Sequence, residues 1–163
     1  MTRKTSFPAV VAPDARVLVL GSLPGEKSLA AQRYYAHPQN RFWHLIGKVI
    51  GTELAPLAYE DRLAALLAAR IGLWDTVASA RRAGSLDVAI REAEPNSLAE
   101  LAASLPALRA VGFNGRTAAK IGMRQLAASG LVLVPLPSSS PAHASMPLAE
   151  KEKLWGQLRE FLA

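Results

Sequence analysis

The stretch "RVLVLG", Arg16 to Gly21, is a short run of mostly branched apolar residues that stops at a glycine. Three other segments share this character, and turn residues bound each of them: "IGLWD" (Ile71 to Asp75), "LRAVGFNG" (Leu108 to Gly115) and "LVLVPLP" (Leu131 to Pro137). Runs of this length and composition are typical of buried strands. The sequence therefore predicts four strands with almost no polar face.

The segments between these strands carry helical periodicity. The predicted helices are "RFWHLIGKVI" (41–50), "YEDRLAALLAAR" (59–70), "NSLAELAASL" (96–105), "GRTAAKIGMRQLAA" (115–128) and "LAEKEKLWGQLREFLA" (148–163). Ser97 and Glu100 have the spacing of a capping box. Apolar strands that alternate with helices favour a parallel sheet covered on both faces. The polar segment "RRAGSLDVAIREAEPN" (81–96) is interpreted as a surface crossover.

Length and composition indicate one domain. The chain has 163 residues, 50% of them hydrophobic, without an internal repeat or linker, so we predict a single domain spanning 1–163. No apolar run reaches the ~20 residues of a membrane-spanning helix, and the N-terminal segment does not make a signal peptide. We therefore expect a cytoplasmic protein, in the bacterial cytoplasm or nucleoid, with no membrane partner. The absence of cysteine excludes disulfides, thiolate metal sites and a cysteine nucleophile.

The charge balance is basic. A net charge of +6 and an isoelectric point near 10.1 favour a polyanionic partner, because Lys and Arg that neutralise phosphates release condensed counterions. Solvated basic faces give the same balance, so charge alone leaves nucleic acid as one of two alternatives.

The loops at the carboxyl ends of parallel strands are where function is expected, here after Gly21, Asp75, Asn114 and Pro137. The first loop, "GSLPGEKS" (21–28), lacks the spacing of a Walker or dinucleotide motif, and an ordinary strand-to-helix turn is the alternative. The fourth loop, "LPSSSPAHASMP" (136–147), has three consecutive hydroxyls that could donate hydrogen bonds to phosphates. A simple Ser/Pro connector is the alternative there.

The segment "YYAHPQNRFW", Tyr34 to Trp43, concentrates aromatic and polar side chains in one loop. It follows "GSLPG" and precedes "LWD", "FNG" and "PSSSPAHA", each at the end of a predicted strand. Together, in this order, these motifs resemble the uracil-DNA glycosylase superfamily, and most of all its hypoxanthine-DNA glycosylase branch. The resemblance extends over nearly the whole chain, from about Val17 to the last helix.

This resemblance implies an α/β fold, a three-layer α/β/α sandwich with a four-stranded parallel sheet. It implies a DNA glycosylase of base excision repair that extrudes a deaminated nucleotide from double-stranded DNA and hydrolyses its N-glycosidic bond. Hypoxanthine is the expected base, and such enzymes use no metal or other cofactor. We expect a monomer, and a monofunctional enzyme because no Lys lies in a matched motif to form a Schiff base. An extruded base needs a plane to stack on and polar groups for its edge, which segment 34–43 would supply.

The same resemblance assigns roles to individual residues. Asn40 matches the catalytic Asn of the branch's "HPxN" segment, and Asp75, also assigned to catalysis, stands where other branches have an Asn that reads the base. Many relatives carry a catalytic Asp or Asn in the first motif, where this chain has Ser22. The predicted base contacts are Ser22, Leu23, Pro24, Tyr35, His37, Phe42 and Asn114. The predicted DNA contacts are Ser138, Ser139, Ser140, Pro141, Ala142 and His143, and no residue is predicted to hold a metal ion.

Several assignments have alternatives. Asn40 is also a suitable cap for the helix that begins at Arg41. An ionised Asp75 could accept a hydrogen bond from the ring N–H of the base, but it could instead hold water, balance the positively charged sugar or cap the end of its strand. His37 could be a turn residue. The role of His143 stays open, because Leu136 stands where many relatives have a His.

The function has alternatives as well. The chain could prefer uracil or act on mismatches, or it could be a non-catalytic nucleic-acid binder, since the first motif lacks Asp. It could also hydrolyse free nucleosides or nucleotides. Release of free base from a lesion-bearing duplex distinguishes an enzyme from a binder, and a nucleoside hydrolase should ignore duplex DNA.

Overall fold

The computed structural model describes residues 3–163. Its strands are β1 (Arg3–Thr5), β2 (Val17–Gly21), β3 (Ile71–Asp75), β4 (Val77–Arg81), β5 (Arg91–Pro95), β6 (Ala110–Asn114) and β7 (Val132–Leu136). Its helices are α1 (Glu26–Ala31), α2 (Phe42–Ile50), α3 (Tyr59–Ala68), α4 (Leu98–Ala103), α5 (Arg116–Leu126) and α6 (Leu148–Trp155), with 3-10 helices at Asp87–Ala89 and Gly156–Phe161. No helix of these residues is both long and apolar enough to cross a membrane.

The four predicted strands form one parallel sheet in the order β3-β2-β6-β7. Gly21 at the end of β2 pairs with Asp75 at the end of β3, and Asn114 at the end of β6 pairs with Leu136. The carboxyl ends of these strands therefore meet at one edge of the sheet, where the loops with the predicted site residues begin. The predicted four-stranded parallel sheet is confirmed.

Both faces of this sheet are covered by helices. Successive side chains of β2 alternate between two apolar clusters: Val17 and Val19 pack with residues of α2, α3 and α6, whereas Leu18 and Leu20 pack with residues of α4 and α5. Because side chains point alternately to opposite faces of a strand, a strand buried on both faces has no polar positions. This explains the unbroken apolar run and confirms the predicted three-layer sandwich.

A second sheet lies beside the first and was not predicted. It is antiparallel, in the order β1-β4-β5, and its strand β5 lies within segment 81–96, which was interpreted as a surface crossover. The segment does lie at the surface, but its strand was missed because β5 is exposed along its whole length and consists largely of charged residues and alanine. A strand without a buried face lacks the apolar alternation by which strands are recognised in sequence.

The predicted capping box is absent. Ser97 precedes α4, but its side chain makes no capping hydrogen bond. Instead the Leu98 amide donates to Oε1 of Gln125 on α5, at 3.1 Å. The first turn of α4 is thus capped from a neighbouring helix, which a local sequence pattern does not reveal.

Candidate active site

Two predicted residues converge on the end of β2. A methyl group at Gly21 would lie 2.7 Å from Oδ1 of Asp75 and 2.9 Å from the hydroxyl oxygen of Tyr35. Gly21 is therefore required here, because any larger residue would displace one of these two groups. Asp75 comes from the neighbouring strand and Tyr35 from the loop before α2, so only the folded sheet brings them together.

Tyr35 supplies the aromatic plane at this point. Its backbone φ of 54° lies in the left-handed region, which is uncommon for a residue with a side chain. The Tyr35 ring stacks on the Phe42 ring at 3.8 Å between centroids and 15° between planes. Phe42 is fully buried and also contacts Trp155, so it backs the Tyr35 ring from the core and cannot itself meet a base unless Tyr35 moves.

Among the described residues, Asp75 and Tyr35 both end in a buried polar atom without a hydrogen bond of good geometry, although the Asn114 side chain lies near enough to the Tyr35 hydroxyl to lower its pKa. Within residues 3–163, such atoms are Oδ2 of Asp75, the Tyr35 hydroxyl, Oγ1 of Thr76 and Nδ1 of His143. Buried polar groups in proteins are nearly always paired, so two unpaired groups side by side indicate a place that a ligand or water fills. Both groups lie at the sheet edge where function was predicted.

The charge state of Asp75 is shifted toward the neutral acid. Asp75 is only 3% exposed, and burial raises the pKa of its carboxyl to about 7, with Asp87 raising it and Arg82 lowering it. Burial, and next the charge of Asp75, also raises the pKa of the Tyr35 hydroxyl. Near neutral pH, Asp75 is therefore present both as an acceptor and as a donor, whereas Tyr35 remains a donor.

Asn40 lies at the entrance to α2 and is half-buried. Its Oδ1 accepts a hydrogen bond from the Phe42 amide at 2.9 Å, so Asn40 does cap the start of the helix, although Arg41 is the residue that directly precedes it. A carbonyl oxygen has two lone pairs, and this bond uses one. Capping therefore fixes the orientation of the side chain and leaves acceptor and donor capacity for another group.

His37 is tied into its own turn. Its Nδ1 accepts from the Gln39 amide at 3.1 Å, and its backbone carbonyl accepts from the Asn40 amide at 3.0 Å. This is the geometry of a turn residue, and Nε2 makes no hydrogen bond to any of residues 3–163. His37 thus shapes the loop that presents Asn40.

Asn114 and Ser139 form a reciprocal pair. The Asn114 amide nitrogen donates to Ser139 Oγ at 2.8 Å, and the Ser139 backbone amide donates to Asn114 Oδ1 at 2.9 Å. Asn114, predicted to contact the base, thus has both ends of its amide engaged with the loop after β7. Ser139 is 1% exposed and cannot reach a phosphate from this position.

The loop that follows β7 is also held by α6 and by the residue that precedes α2. Lys151 donates through Nζ to the carbonyls of Ser138 and His143, each at 2.7 Å, and the Arg41 amide donates to Ser139 O at 3.0 Å. The buried Lys151 was not singled out from the sequence, since a Lys on a helix is normally solvated.

The outer part of this loop is open to solvent. Pro141 and Ala142 are exposed, while Ser138, Ser140 and His143 are partly exposed. Ser138 Oγ accepts from the Ser140 amide and Ser140 Oγ accepts from the Ala142 amide, at 3.1 and 3.2 Å. Both hydroxyls act here as acceptors and retain a proton that can be donated to a phosphate.

The loop after β2 is less open than predicted. Ser22, Leu23 and Pro24 are buried, and Leu23 packs with Val77 and Ala80 in a small apolar cluster. Ser22 Oγ donates to Asp87 Oδ1 at 2.6 Å, so its hydroxyl is engaged with the connection between β4 and β5. Asp87 was missed because it lies in the segment taken for a surface crossover.

Comparison with known proteins identifies the family of the chain. The model of the Uracil DNA glycosylase superfamily matches residues 8–159. The chain is 42% identical over 140 residues to a hypoxanthine DNA glycosylase of Methanosarcina acetivorans, covering 86% of this chain and 88% of that protein. It is 41% identical over 114 residues to a hypoxanthine DNA glycosylase of Methanosarcina barkeri, covering 70% of this chain and 72% of that protein.

A solved structure has the same fold. It is the solution structure of a Methanosarcina acetivorans protein described provisionally as a uracil DNA glycosylase, and it matches with a TM-score of 0.89 and 37% identity. The match covers 99% of this chain and 100% of that one. The family model and these relatives confirm the resemblance seen in the motifs: the chain belongs to the uracil DNA glycosylase superfamily.

Proposed function

We propose that this protein is a monofunctional DNA glycosylase that hydrolyses the N-glycosidic bond of hypoxanthine in double-stranded DNA. The observation that carries this proposal is the pair of unpaired buried groups, Asp75 Oδ2 and the Tyr35 hydroxyl, at the carboxyl edge of the sheet in a member of this superfamily. Two relatives named for hypoxanthine support the choice of base. The chain would act as one domain and as a monomer, on DNA in the cytoplasm.

The base would stack on Tyr35 and present its edge to Asp75. An ionised Asp75 can accept a hydrogen bond from the ring N1–H of hypoxanthine. An extruded base is read in this way by one aromatic plane and a few polar groups. Phe42 behind Tyr35 keeps the plane in place.

The chemistry requires a positioned water and stabilised charges. Cleavage of the glycosidic bond develops positive charge on the sugar and negative charge on the departing base, so preorganised dipoles at these places lower the barrier. The free lone pair of Asn40 Oδ1 would orient the attacking water, while its bond to the Phe42 amide holds the side chain in place. Serines 138 and 140 would bind the phosphates beside the extruded nucleotide.

The experiment is single-turnover release of free base from duplexes that carry hypoxanthine, uracil or xanthine at one position. We expect hypoxanthine to be released fastest by the wild-type protein. In Asn40→Ala, we expect a loss on the order of 100-fold or more in rate, as for removal of one preorganised catalytic group. Affinity for the lesion duplex should change far less, because the proposed phosphate contacts lie on another loop.

Helix capping alone makes a different forecast for the same variant. If Asn40 acts only as a helix cap, its loss would cost about 1 kcal/mol of stability and leave the rate of the folded fraction near the wild-type value. The thermal midpoint, duplex affinity and single-turnover rate are therefore measured on one preparation. A folded Asn40→Ala protein with wild-type excision would remove Asn40 from catalysis, and a wild-type protein that releases none of the three bases would overturn the proposed function.

A further inference from the structure

The connection between β4 and β5 holds the loop after β2 by a set of specific contacts. The Arg82 guanidinium donates to the carbonyls of Leu23, at 3.3 Å, and Pro24, and Arg82 also bonds its own turn at Gly84 O, 3.0 Å away. The Glu26 amide donates to Ser85 Oγ at 2.9 Å. The backbone of the first loop is thus fixed by side chains that lie far away in sequence.

Asp87 occupies the centre of this set. Its Oδ1 accepts from Ser22 Oγ at 2.6 Å and lies 3.9 Å from Nη1 of Arg82. The Arg82 side chain is fully buried, whereas the Asp87 side chain is 36% exposed. A buried guanidinium needs a nearby carboxylate, and Asp87 supplies it without losing all contact with water.

The same two charges act on Asp75. The titratable groups that interact electrostatically with its carboxyl are Tyr34 and Tyr35 from the loop before α2, and Asp87 and Arg82 from the β4–β5 connection. The negative charge of Asp87 raises the pKa of Asp75 and the positive charge of Arg82 lowers it, in addition to the larger effect of burial. Asp87 is therefore linked to the site by a hydrogen bond and by its charge.

We propose that Asp87 is a positioning residue for base excision: it anchors the loop after β2 through Ser22 and acts electrostatically on Asp75, with Arg82 as its counter-charge. This inference rests on the proposed function, in which Asp75 meets the base. Asp87 touches neither base nor sugar, and its effect passes through Ser22 and Asp75. A carboxylate outside the matched motifs would thus influence the position of Ser22 and the charge state of Asp75.

Two substitutions separate the anchor from the charge. Asp87→Asn removes the negative charge but keeps an oxygen that can accept from Ser22. Ser22→Ala removes the hydrogen bond but keeps the carboxyl group. Glu94→Gln is the matched control, since it neutralises an exposed carboxylate of the same hairpin that pairs with Arg3 at its surface.

The measurements are an NMR titration of the Asp75 carboxyl carbon and the pH dependence of single-turnover hypoxanthine release. In Asp87→Asn we expect the Asp75 midpoint to fall. The ratio of the rate at pH 6 to the plateau rate should rise about three- to fivefold, because a carboxyl that titrates lower is more ionised at that pH. In Ser22→Ala we expect slower excision at every pH with the midpoint unmoved, and in Glu94→Gln we expect no change of either quantity.

The outcomes are distinct from those that test the function itself. An active Asp87→Asn protein whose Asp75 midpoint and pH profile match the wild type would overturn the role of Asp87. A shift of equal size in Glu94→Gln would also contradict it, since general surface charge would then suffice. The titration needs no activity, so a wild-type protein that releases no base contradicts the proposed function and not the coupling between Asp87 and Asp75.

Discussion

At the scale of single residues, the site holds side chains and backbone in environments and conformations that such residues ordinarily avoid. Asp75 is a carboxylate in a nearly water-free position, and Tyr35 has a left-handed backbone with a buried, unpaired hydroxyl. Each of these features costs free energy in the folded state. Features of this kind cluster at functional sites, where a bound substrate makes up for the missing partners.

The raised pKa of Asp75 leads to a prediction about the stability of the folded protein. The pKa of Asp75 is raised to about 7 in the folded protein, so between the ordinary range of a carboxyl and pH 7 the unfolded chain is ionised while the folded chain holds a proton. The folded state therefore loses stability as pH rises through this window, and the loss is complete above it. We expect Asp75→Asn to be more stable than the wild type at pH 8, by a few kcal/mol at most.

The measurement is denaturant unfolding of both proteins between pH 4 and pH 8. The stability advantage of Asp75→Asn should shrink steadily as pH falls toward pH 4, where the folded wild-type carboxyl is protonated and the unfolded carboxyl begins to take up its proton. An advantage that stays constant with pH would mean that Asp75 is not a buried titrating acid. The same variant should alter the ratio of hypoxanthine to uracil excision more than it alters duplex affinity.

At the scale of elements, the site depends on loops that are locked to the sheet. The loop after β7 is held by Asn114 at the end of β6 and by Lys151 on α6. The loop after β2 is held by the β4–β5 connection. Positions set by hydrogen bonds to rigid elements vary little, which suits residues that must meet an extruded nucleotide with accuracy.

The Asn114–Ser139 pair makes a prediction at this scale. Asn114→Ala removes both hydrogen bonds and leaves the buried Ser139 amide unpaired, which should cost about 1–3 kcal/mol of stability. Ser139→Ala is the matched control because it removes one bond and retains the one from the backbone amide, so its cost should be smaller. We also expect weaker binding of the lesion duplex in Asn114→Ala, since the loop with Ser138 and Ser140 loses its anchor.

Unfolding midpoints and duplex dissociation constants of the two variants test this assignment. If Asn114 instead contacted the base directly, its loss would lower the excision rate and leave the affinity for undamaged duplex unchanged. Equal affinity of both variants and wild type for undamaged duplex would therefore count against the anchoring role.

At the scale of the whole molecule, a row of basic residues extends along α5 from the site. Arg116, Lys120 and Arg124 are exposed and spaced by four residues, so they lie along one face of α5, which begins beside Asn114. In the part of the chain that the structure describes, none of the three forms an ion pair with a carboxylate. The net charge of the chain is +6, and this row also favours binding of an anion close to the site.

Duplex binding should accordingly depend steeply on salt. We expect the logarithm of the association constant to fall with the logarithm of salt concentration with a slope of several, because each neutralised phosphate releases condensed cations. Arg116→Ala should lower the slope by about one. Arg70→Ala is the control, because Arg70 precedes β3 and lies at the opposite edge of the sheet, where it pairs with Asp14. A flat response between low and physiological salt would contradict duplex DNA as the partner.

The sequence by itself determined the main sheet, the helices α2 to α6 and the family, whereas α1 was not among the predicted helices. The four buried strands were recognised because burial on both faces leaves apolar runs, and their observed bounds differ from the predicted ones by at most two residues at either end. The motifs that identify the family stand at the ends of these strands. Asn40 and Asp75 could be named because they belong to such motifs, although their roles remain predictions.

Only the tertiary structure decided which groups meet. The pairing of β1 with β4, the burial of Arg82 and the bond from Ser22 to Asp87 join residues that are distant in sequence. Local patterns report whether a segment has a buried face, and β5 has none, so the hairpin that carries Asp87 left no such signal. Charged residues are expected at the surface, and only the packing of the loops shows that Arg82 and Asp75 are buried while Asp87 is partly exposed.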